Sequence, residues 1–332
     1  MTGGAQRRVW VLTDERPGNR TQSMGVAQKL PYEFEEKHLE FSLLGGLPNR
    51  LMGGSHFRLR RRSRAILNAP WPDIAIAAGR KLAPALRYIK QKNPNCFTVY
   101  LMNPQTSLRH FDMVAMPEHD RPPTRPNVLP TVGPVHSLTT KKLTAEADKW
   151  RSQLAHLPEP RIALLVGGDS KSAQFSSHDF HDMGEMASNM ARDIGEKDKP
   201  GSLMVTTSPR TNARAMDYLR LSLSVEHELF VWQSRVDNPY HAYLALANVI
   251  IVSGDSMSMC AEACALGKPV FIYVPRGGKL SPKLMRFHQS LFDRNLAQPL
   301  TAGAMPQWNT GAALDEAGRV ASEIVRRNGT LI

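Results

Sequence analysis

The sequence predicts an α/β protein made of two doubly wound, Rossmann-like domains, each with a parallel sheet covered by helices. Short apolar runs alternate with helical patterns along the whole chain, as expected when helices connect parallel strands. The chain has 332 residues, enough for two domains of ordinary size. A Pro-rich passage at 121–134 separates two stretches that follow the same rhythm. We expect domains at 1–150 and 151–332 with a cleft between them, the last helix being able to pack back on the first domain.

The first domain is predicted to have five strands, each a short apolar run. They are placed at 8–13, 37–42, 73–77, 96–101 and 112–116. Helices are predicted at 22–30 and 82–92, and a helical connector runs on to about residue 156. Because helices follow strands here, the strands are expected to be parallel.

The second domain repeats this pattern. Its predicted strands lie at 161–166, 202–207, 228–232, 248–252 and 270–274. Its predicted helices lie at 179–194, 212–222, 239–247 and 258–266, and a final helix is predicted at 315–326. Ligands of doubly wound sheets bind at the carboxyl ends of the strands. The loops that follow these strands are therefore the candidates for function.

The most informative segment is 253–275, SGDSMSMCAEACALGKPVFIYVP. It indicates a turn after a buried strand, then a helix, a Gly-Lys-Pro turn and a second buried strand. The turn residues lie at a helix N-terminus, where free N–H groups and the helix dipole favour an anion. Glu262 shares a helical face with Ser258. A phosphate at the turn and sugar hydroxyls on Glu262 would bind a nucleotide, whereas an ordinary turn with a solvated Glu262 is the alternative. The candidate residues are Ser253, Gly254, Asp255, Ser256, Ser258 and Glu262.

Three other loops of the second domain offer candidates for the same site. The loop LLVGGDSKSAQ has two glycines that permit close backbone approach. The loop TTSPRTN presents an arginine suited to bidentate phosphate contact, and VDNPYHAYLALAN begins a helix. Each could instead be a plain turn, but all follow strands of one predicted sheet and so gather at one edge. The candidates are Gly167, Gly168, Ser170, Arg210, Thr211 and Asn238.

In the first domain, carboxylates follow two predicted strands. Asp14 and Glu15 come directly after the first strand, and Glu118 follows the last one. A carboxylate at this edge could deprotonate an acceptor hydroxyl and act as a catalytic base. Asp14 could instead bond to nearby backbone, as Asp often does in turns.

Positive charge is concentrated in the first domain. Residues 1–150 carry 23 Lys and Arg against 12 Asp and Glu, which accounts for nearly all of the net charge of +12. Basic and apolar residues mix in the stretch 50–67, which suits a peripheral contact with an anionic membrane. A solvated basic face is the alternative. Nucleic acid is not expected, because the stretch has few aromatic residues for stacking. The candidates are Arg58, Arg60, Arg61, Arg62 and Arg64.

Several classes of function are disfavoured by what the sequence lacks. It has no G-x-G-x-x-G fingerprint and no G-x-x-x-x-G-K-[ST] motif, which argues against nicotinamide, flavin and ATP-hydrolysing enzymes. We expect no cofactor and no metal, since neither Cys260 with Cys264 nor His178 with His181 has further ligands nearby. With no apolar span of membrane length and three cysteines, we expect a cytoplasmic protein at the inner face of the membrane.

These motifs, in this order, resemble the GT-B class of nucleotide-sugar glycosyltransferases. More narrowly, the chain resembles the mitochondrial-fission ELM-type family, whose bacterial members are described as candidate lipooligosaccharide outer-core glycosyltransferases. The resemblance covers most of the chain. It rests on WVLTDERPGNRTQSMGVAQKL, PDIAIAAGRK, FDMVAMPEHD, NVLPTVGPVHSLT, TTSPRT and VDNPYHAYLALANVIIVSGDSMSMCAEACALGKPVFIYVP, the last being highly specific. The chain departs from the family pattern at Asn19, Asn103 and Ser137, where His, Asp and Arg are expected.

The resemblance implies a GT-B fold and transfer of a sugar from a nucleotide-sugar to an anionic, lipid-linked acceptor. The second domain would then hold the donor, with Ser256, Ser258 and Arg210 near the diphosphate and Glu262 on the ribose. The first domain would hold the acceptor, and Asp14 or Glu15 would supply the base. The alternatives are a nucleotide-sugar epimerase or hydrolase of the same fold, or a membrane-associated interaction protein without turnover.

Overall fold

The chain divides into two compact units. The computed structural model describes residues 7–42, 49–196, 198–233, 236–308 and 313–329, except for the side chains of residues 50 and 51. Unit 1 comprises Met1–Ser137 and Asp315–Ile332, and unit 2 comprises Leu138–Leu314. Each contains one six-stranded parallel sheet covered by helices, which confirms the predicted α/β class with two Rossmann-like sheets. The division lies before the helix Thr140–Trp150, and not after it as the sequence analysis placed it.

The described residues of unit 1 form the following strands and α-helices before the chain enters unit 2. They are β1 (Val9–Thr13), α1 (Pro17–Ala27), β2 (Phe34–His38), α2 (Asn49–Met52), α3 (Arg61–Ala65), β3 (Ile74–Ala78), α4 (Ala83–Lys92), β4 (Phe97–Leu101), β5 (Met113–Pro117) and β6 (Val128–Thr131). The strand order across the sheet is β2-β1-β3-β4-β5-β6. The sequence analysis did not predict β6, in which Val128 and Thr131 are buried and the two residues between them are not.

The inner strands of unit 1 are buried on both faces, which explains their continuous apolar sequences. Along β1, Val9 and Val11 belong to one apolar cluster, and Trp10 and Leu12 belong to another on the opposite face. The helix Glu316–Gly329 packs on the first of these faces. This helix therefore completes unit 1, although unit 2 precedes it in the sequence.

The second strand of unit 1 lies at Phe34–His38, so the prediction of a strand at 37–42 was wrong. Its sequence, FEEKH, is polar because β2 is an edge strand that pairs only with β1. Edge strands carry charged residues without a burial cost. Leu39 is buried just beyond the end of the strand, which explains why the predicted strand extended past His38.

Unit 2 supplies the following elements. They are α5 (Thr140–Trp150), β7 (Arg161–Val166), β8 (Ala173–Gln174), α6 (Ser177–Ile194), β9 (Ser202–Thr207), α7 (Ala213–Ser222), β10 (His227–Phe230), α8 (Tyr240–Leu246), β11 (Val249–Ser253), α9 (Met257–Cys264), β12 (Val270–Tyr273), β13 (Lys279–Leu280), α10 (Pro282–Phe292) and β14 (Gln298–Pro299). The C-terminal helix of unit 1 is α11 (Glu316–Gly329). The main sheet has the order β10-β9-β7-β11-β12-β14, while β8 and β13 form a separate antiparallel pair.

The Gly-Lys-Pro turn after α9 closes the end of a neighbouring helix. Gly267 adopts a φ of +64°, a conformation that favours glycine. The Nζ of Lys268 then donates to the carbonyl oxygens of Leu244, Ala245 and Ala247, at 2.7 to 2.9 Å. These carbonyls lie at the C-terminus of α8, where cations are favoured. Burial lowers the pKa of Lys268 to about 8.

Each sheet changes direction at one point. In unit 1 the chain goes from β1 outward to β2 and then returns to β3 on the other side of β1. In unit 2 it goes from β7 to β9 and β10, and then returns to β11. Ligands of open α/β sheets bind at such switch points, outside the carboxyl ends of the strands. The loops after β1 and β3, and after β7 and β11, are therefore the places to search for a site.

Candidate functional site

A buried carboxylate organises the switch point of unit 2. Asp255 follows β11, and its Oδ1 accepts a hydrogen bond from the Ser253 hydroxyl at 2.7 Å. The backbone N–H of Gly168 donates to Asp255 Oδ2 at 3.3 Å, and that of Gly167 donates to Ser253 Oγ at 2.7 Å. The loops after β7 and β11 are thus joined by hydrogen bonds. The sequence predicted that these residues gather at one edge of the sheet, and the structure brings them together.

Both glycines of this loop are required by close packing. A Cβ at Gly167 would overlap the Asp255 carboxylate, and one at Gly168 would overlap the carbonyl of Arg210. The backbone of the β7 loop can approach its neighbours only because these positions lack side chains.

Arg210 is held at this edge by an ion pair. Its Nη2 lies 2.5 Å from Asp255 Oδ2, and the Asp255 side chain is fully buried. The arginine side chain itself is 39% exposed. A guanidinium carries five N–H donors, so the pair occupies only part of its capacity. Asp255 therefore fixes Arg210 in place while leaving donors that can reach an anion.

The N-terminus of α9 lies in the same loop as Asp255. The Ser256 side chain caps the helix and accepts from the backbone N–H of Met259 at 3.3 Å. Ser258 is exposed in the first turn. Asp255, the partner of Arg210, directly precedes the helix cap, so the positive end of the α9 dipole and Arg210 belong to one site, an arrangement suited to a phosphate or diphosphate group.

Glu262 lies one turn further along α9. Its Oε2 accepts a hydrogen bond from the Tyr240 hydroxyl at 2.6 Å. Burial raises the pKa of Glu262, while Tyr240 and, more weakly, Lys142 act in the opposite direction. The tyrosine orients the carboxylate and leaves its second oxygen available. A carboxylate fixed in this way can accept the paired hydroxyls of a ribose.

The other candidates of unit 2 serve mainly to shape the loops. The Thr211 hydroxyl donates to the carbonyl of Gly167 at 2.6 Å, which ties the loop after β9 to the one after β7. Ser170 Oγ accepts two backbone N–H groups of its own turn, each at 3.1 Å. Asn238 Oδ1 accepts from the N–H of Tyr240 at the start of α8. These side chains support the site, and the sequence could not separate that role from direct binding.

At the switch point of unit 1, a buried aspartate is held by an amide and a backbone N–H in place of an arginine. Asp14 is buried directly after β1. The Nδ2 of Asn19 donates to both of its oxygens, at 3.0 and 3.1 Å, and the backbone N–H of Arg16 donates at 3.2 Å. Gly79, after β3, has a φ of +93°, and a Cβ there would overlap Asn19. Among the described residues, Asp14 has no ion pair.

The other two carboxylates predicted as bases lie in different surroundings. Glu15 is exposed, and its Oε1 pairs with Lys81 Nζ at 2.7 Å. Glu118 begins the 3-10 helix Glu118–Asp120 after β5 and is partly buried. Asp14 is therefore the buried one of the three, whereas Glu15, in the same loop, is exposed and paired with Lys81.

The basic stretch is not one continuous exposed face. Arg58 is buried and donates to Asn49 Oδ1 at 2.9 Å, so its prediction as a surface contact was wrong. Arg64 donates to two backbone carbonyls, and Arg60 pairs with Glu40 at 3.3 Å. The exposed basic residues are Arg60, Arg61 and Arg62, of which Arg61 and Arg62 on α3 have no ion pair in the described part of the chain; Phe57 and Ile66 are exposed apolar residues of the same stretch. None of the described helices is long and apolar enough to cross a membrane.

One cluster with metal-ligand chemistry lies outside these loops. His181, Asp182 and Glu185 on α6 place one ligand atom each within 4.8 Å of the others. The sequence analysis considered His181 and found no further ligand, because it did not consider Glu185 one turn along the helix. Exposed groups of this kind are common on helix surfaces.

Sequence reasoning missed three residues of these sites. Asn19 lies in α1, where its amide reaches Asp14. Lys142 on α5 influences Glu262 and contacts His241 Nε2 at 3.1 Å. Arg80 follows β3 at the switch point. Asn19 gave a signal as a departure from the family pattern, and Arg80 gave one because a Gly-Arg-Lys turn directly follows a predicted strand.

Comparisons with known proteins agree with this fold. The family described as "Mitochondrial fission ELM1" matches residues 17–328. The chain is 26% identical over 255 residues to the Arabidopsis thaliana mitochondrial fission protein ELM1, covering 69% of this chain and 57% of the plant protein. It is also 26% identical to the Rickettsia prowazekii uncharacterized protein RP120, covering 96% of this chain and 97% of that one. The chain thus spans little more than half of its plant relative.

A solved structure is similar over the whole chain. A candidate UDP-N-acetylglucosamine 2-epimerase from Listeria monocytogenes superposes with a TM-score of 0.57 and 13% identity, covering 98% of this chain and 97% of that one. At this identity the likeness concerns the fold, which is the two-domain α/β fold of the GT-B class. By the match over residues 17–328, the chain belongs to the mitochondrial fission ELM1 family.

Proposed function

We propose that this chain is a glycosyltransferase that uses a nucleotide-sugar donor and needs no metal ion. The observation that carries the proposal is the switch point of unit 2, where Arg210 is paired with Asp255, directly before the helix α9 that carries Glu262. The first two suit a diphosphate and the third suits a ribose. The similar Listeria protein is described as acting on a UDP-sugar, which agrees with a nucleotide-sugar as ligand.

The proposed reaction needs two kinds of group. A base removes the proton from an acceptor hydroxyl, whose oxygen then attacks the anomeric carbon of the donor sugar. The bond from that carbon to the nucleotide diphosphate breaks, and the diphosphate leaves with the electron pair. Arg210 and the α9 dipole would stabilise the charge on this leaving group, a task that a divalent cation performs in many enzymes.

Asp14 is the proposed base. It lies at the carboxyl end of β1, and Asn19 and the Arg16 N–H orient its oxygens. A carboxylate accepts about four hydrogen bonds, and these contacts use three. One position therefore remains to take the proton of the acceptor. Glu15 and Glu118 are the next candidates.

The acceptor is proposed to be an anionic, lipid-linked molecule of the cell envelope, reached from the inner face of the membrane. The positive charge of residues 1–150 supports an anionic partner. On α3, Arg61 and Arg62 lie near the exposed Phe57 and Ile66, a combination suited to anionic headgroups. Each exposed arginine near such a surface contributes about 1 kcal/mol.

The reaction is tested by incubating the purified protein with a panel of nucleotide-sugars, with and without a lipid extract of the cell envelope. We expect release of a nucleotide diphosphate that depends on the extract and persists when divalent cations are chelated. Conversion of the donor sugar without extract would instead identify an epimerase or hydrolase. Binding of nucleotide without any conversion would identify an interaction protein.

The membrane contact is tested separately by sedimentation with liposomes. We expect the wild-type protein to sediment with anionic liposomes at low salt and to detach as salt rises, because salt screens these charges. The variant Arg61→Gln/Arg62→Gln should remain in solution and still bind nucleotide. If the wild-type protein does not sediment with anionic liposomes at low salt, the surface formed by Arg61 and Arg62 does not bind a membrane and the acceptor is reached without it.

A further inference from the structure

Unit 1 contains a cavity that no part of the proposed donor site uses. Its volume is about 960 Å³. Loops at the carboxyl ends of β3 and β4 form much of its wall, together with residues of α2 and α4. It therefore lies on the edge of the sheet where ligands of this fold class bind. The lining residues are Asn49, Arg80, Arg87, Asn103, Gln105, Thr106, Ser107 and His110.

The charge of this wall is entirely positive. No Asp or Glu is among the described residues that line the cavity. Arg80 and Arg87 have no ion pair in the described part of the chain, and their side chains are exposed or partly exposed. Burial, and then the charge of Arg80, lower the pKa of the neighbouring Arg58. Burial, Arg87 and Arg109 lower the pKa of His110. Like charges gathered without a carboxylate repel one another, and an anion would relieve this repulsion.

A buried amide holds the wall in shape. Asn49, buried at the edge of the cavity, donates from Nδ2 to the carbonyls of Arg80 and Pro104, both at 2.8 Å. Its Oδ1 accepts from Arg58 Nη1 at 2.9 Å. One side chain thus ties the loops after β3 and β4 to each other and to a buried cation. This network fixes the backbone that carries Arg80.

The loop after β4 adds a second, independent feature. Met102 and Gln105 have φ values of +79° and +52°, in the left-handed region that residues other than glycine seldom adopt. Residues in such conformations concentrate at ligand-binding sites, where the surrounding structure holds them in place. The strained loop presents Asn103, Gln105 and Ser107 to the cavity, all of which can donate hydrogen bonds.

We propose that this cavity binds a phosphate group, with Arg80 and Arg87 as its principal ligands and Asn103, Gln105 and Ser107 as hydrogen-bonding partners. Guanidinium groups recognise phosphate through paired, planar N–H donors. The inference rests on the proposed function, in which the phosphate would belong to the acceptor of the sugar. It specifies the acceptor as a phosphorylated molecule, which is narrower than an anionic one.

Thermal-shift titrations with glucose 6-phosphate test the site, with sodium chloride at matched ionic strength as the reference. We expect the phosphomonoester to raise the melting temperature of the wild-type protein. The variant Arg80→Gln/Arg87→Gln should bind it at least about tenfold more weakly, since it loses the charged hydrogen-bond donors of two guanidinium groups. Circular dichroism of each variant checks that it is folded.

The matched control is Arg61→Gln/Arg62→Gln, which removes the same charge from the surface of unit 1 outside the cavity. It should bind glucose 6-phosphate as the wild type does. If both variants bind glucose 6-phosphate equally weakly, the loss comes from the net charge of unit 1 and not from the cavity, and the proposal is overturned. Absence of any wild-type shift beyond that of sodium chloride would also overturn it.

Two further arms separate this proposal from the others. Binding of UDP to Arg80→Gln/Arg87→Gln should equal that of the wild type, so a failure of the donor site and a failure of this cavity can be told apart. Liposomes with and without phosphatidic acid identify the source of the phosphate. Selective sedimentation with phosphatidic acid that Arg80→Gln/Arg87→Gln loses supports a lipid phosphate. Sedimentation that only Arg61→Gln/Arg62→Gln loses leaves a soluble phosphomonoester as the ligand of the cavity.

Discussion

Each sheet places a buried aspartate at its switch point but surrounds it differently: Asp14 follows the first strand of unit 1, and Asp255 follows the return strand of unit 2. In unit 2, Asp255 is paired with Arg210 and with backbone N–H groups. In unit 1, Asp14 receives hydrogen bonds from the neutral Asn19 amide and from the Arg16 N–H. The first carboxylate is committed to holding a cation in place, whereas the second keeps a charge that no described cation neutralises. The aspartate of unit 2 is thus suited to positioning an arginine for anion binding, and the aspartate of unit 1 is suited to proton removal.

The largest expected effect comes from Asp14→Asn. The new amide oxygen can still accept from Asn19 and Arg16, but an amide cannot take up a proton at neutral pH. We expect turnover to fall by about 10²–10⁴-fold, the usual contribution of a catalytic base, while donor affinity stays unchanged. Initial rates and nucleotide titrations measure the two quantities.

Glu15→Gln and Glu118→Gln are the matched controls, because each removes a carboxylate from the same edge of unit 1. Both should retain most of the activity. If Asp14→Asn turns over at nearly the wild-type rate and one of the controls does not, the base lies at that control position. The proposal that Asp14 removes the proton of the acceptor would then be wrong.

The glycines at the two switch points allow a second test. Gly168→Ala would place a Cβ against the Arg210 backbone, which cannot move aside easily, whereas Gly79→Ala would meet the Asn19 side chain. We expect losses in the free energy of unfolding of about 2–4 kcal/mol for Gly168→Ala and about 1–3 kcal/mol for Gly79→Ala. Urea unfolding measures both.

Gly18→Ala is the control, since a Cβ there has no atom within 4 Å. Gly18 lies in the first turn of α1, where alanine is the better helix former, so stability should stay the same or rise slightly. A loss at Gly18 as large as at Gly168 would mean that close packing is not what these positions require.

The third prediction concerns acid. His288 on α10 is buried beside Gly254, and burial lowers its pKa to about 4, although Gly254 and Asp255 partly oppose the change. In the unfolded chain its pKa is about 6.5, so the unfolded state binds the extra proton between pH 6.5 and 4. The contribution to stability is therefore complete above pH 6.5 and is lost as the pH falls to about 4, by about 3 kcal/mol in all.

The measurement compares the wild type with His288→Gln in urea at pH 7 and pH 4.5. The wild type should lose about 2–3 kcal/mol more stability than the variant over this interval. His241, whose pKa burial also lowers to about 4, contributes equally to both proteins. Equal losses in the two proteins would show that His288 does not make the switch point of unit 2 sensitive to acid.

The strands that the sequence analysis predicted correctly are mainly those whose burial is visible in the sequence as a continuous apolar run. The inner strands, such as Ile74–Ala78 and Val249–Ser253, are continuous apolar runs because both of their faces are covered. The sequence analysis misplaced or did not predict strands at the edges of the sheets. Of these, β2 is polar, β14 has two residues, and β6 is only partly buried. The helix α10 was not predicted, although its buried residues Leu284, Phe287 and Leu291 recur at helical spacing.

The site was predictable by position but not by pairing. Sequence order placed Arg210, Asp255 and Glu262 after strands of one sheet, and the structure gathers them at its edge. The sequence did not reveal which residues pair within the site. Asp255 contacts Arg210 across 45 residues, and Tyr240 contacts Glu262 across 22 residues, and no local sequence pattern predicts such contacts. Arg58 was misjudged for the same reason, because Asn49 and the surrounding fold bury it.

The central claim is that unit 2 binds a nucleotide through Glu262 and the loop of Asp255, and calorimetric titration with UDP and the other nucleoside diphosphates tests it. The wild-type protein should bind at least one of them. Glu262→Ala should weaken that binding by about 1–3 kcal/mol, as expected for the loss of a charged hydrogen-bond partner. Tyr240→Phe, which leaves the carboxylate but removes its orienting hydroxyl, should weaken it less. A folded Glu262→Ala protein with unchanged nucleotide affinity, or a wild-type protein that binds no nucleotide, would contradict the account.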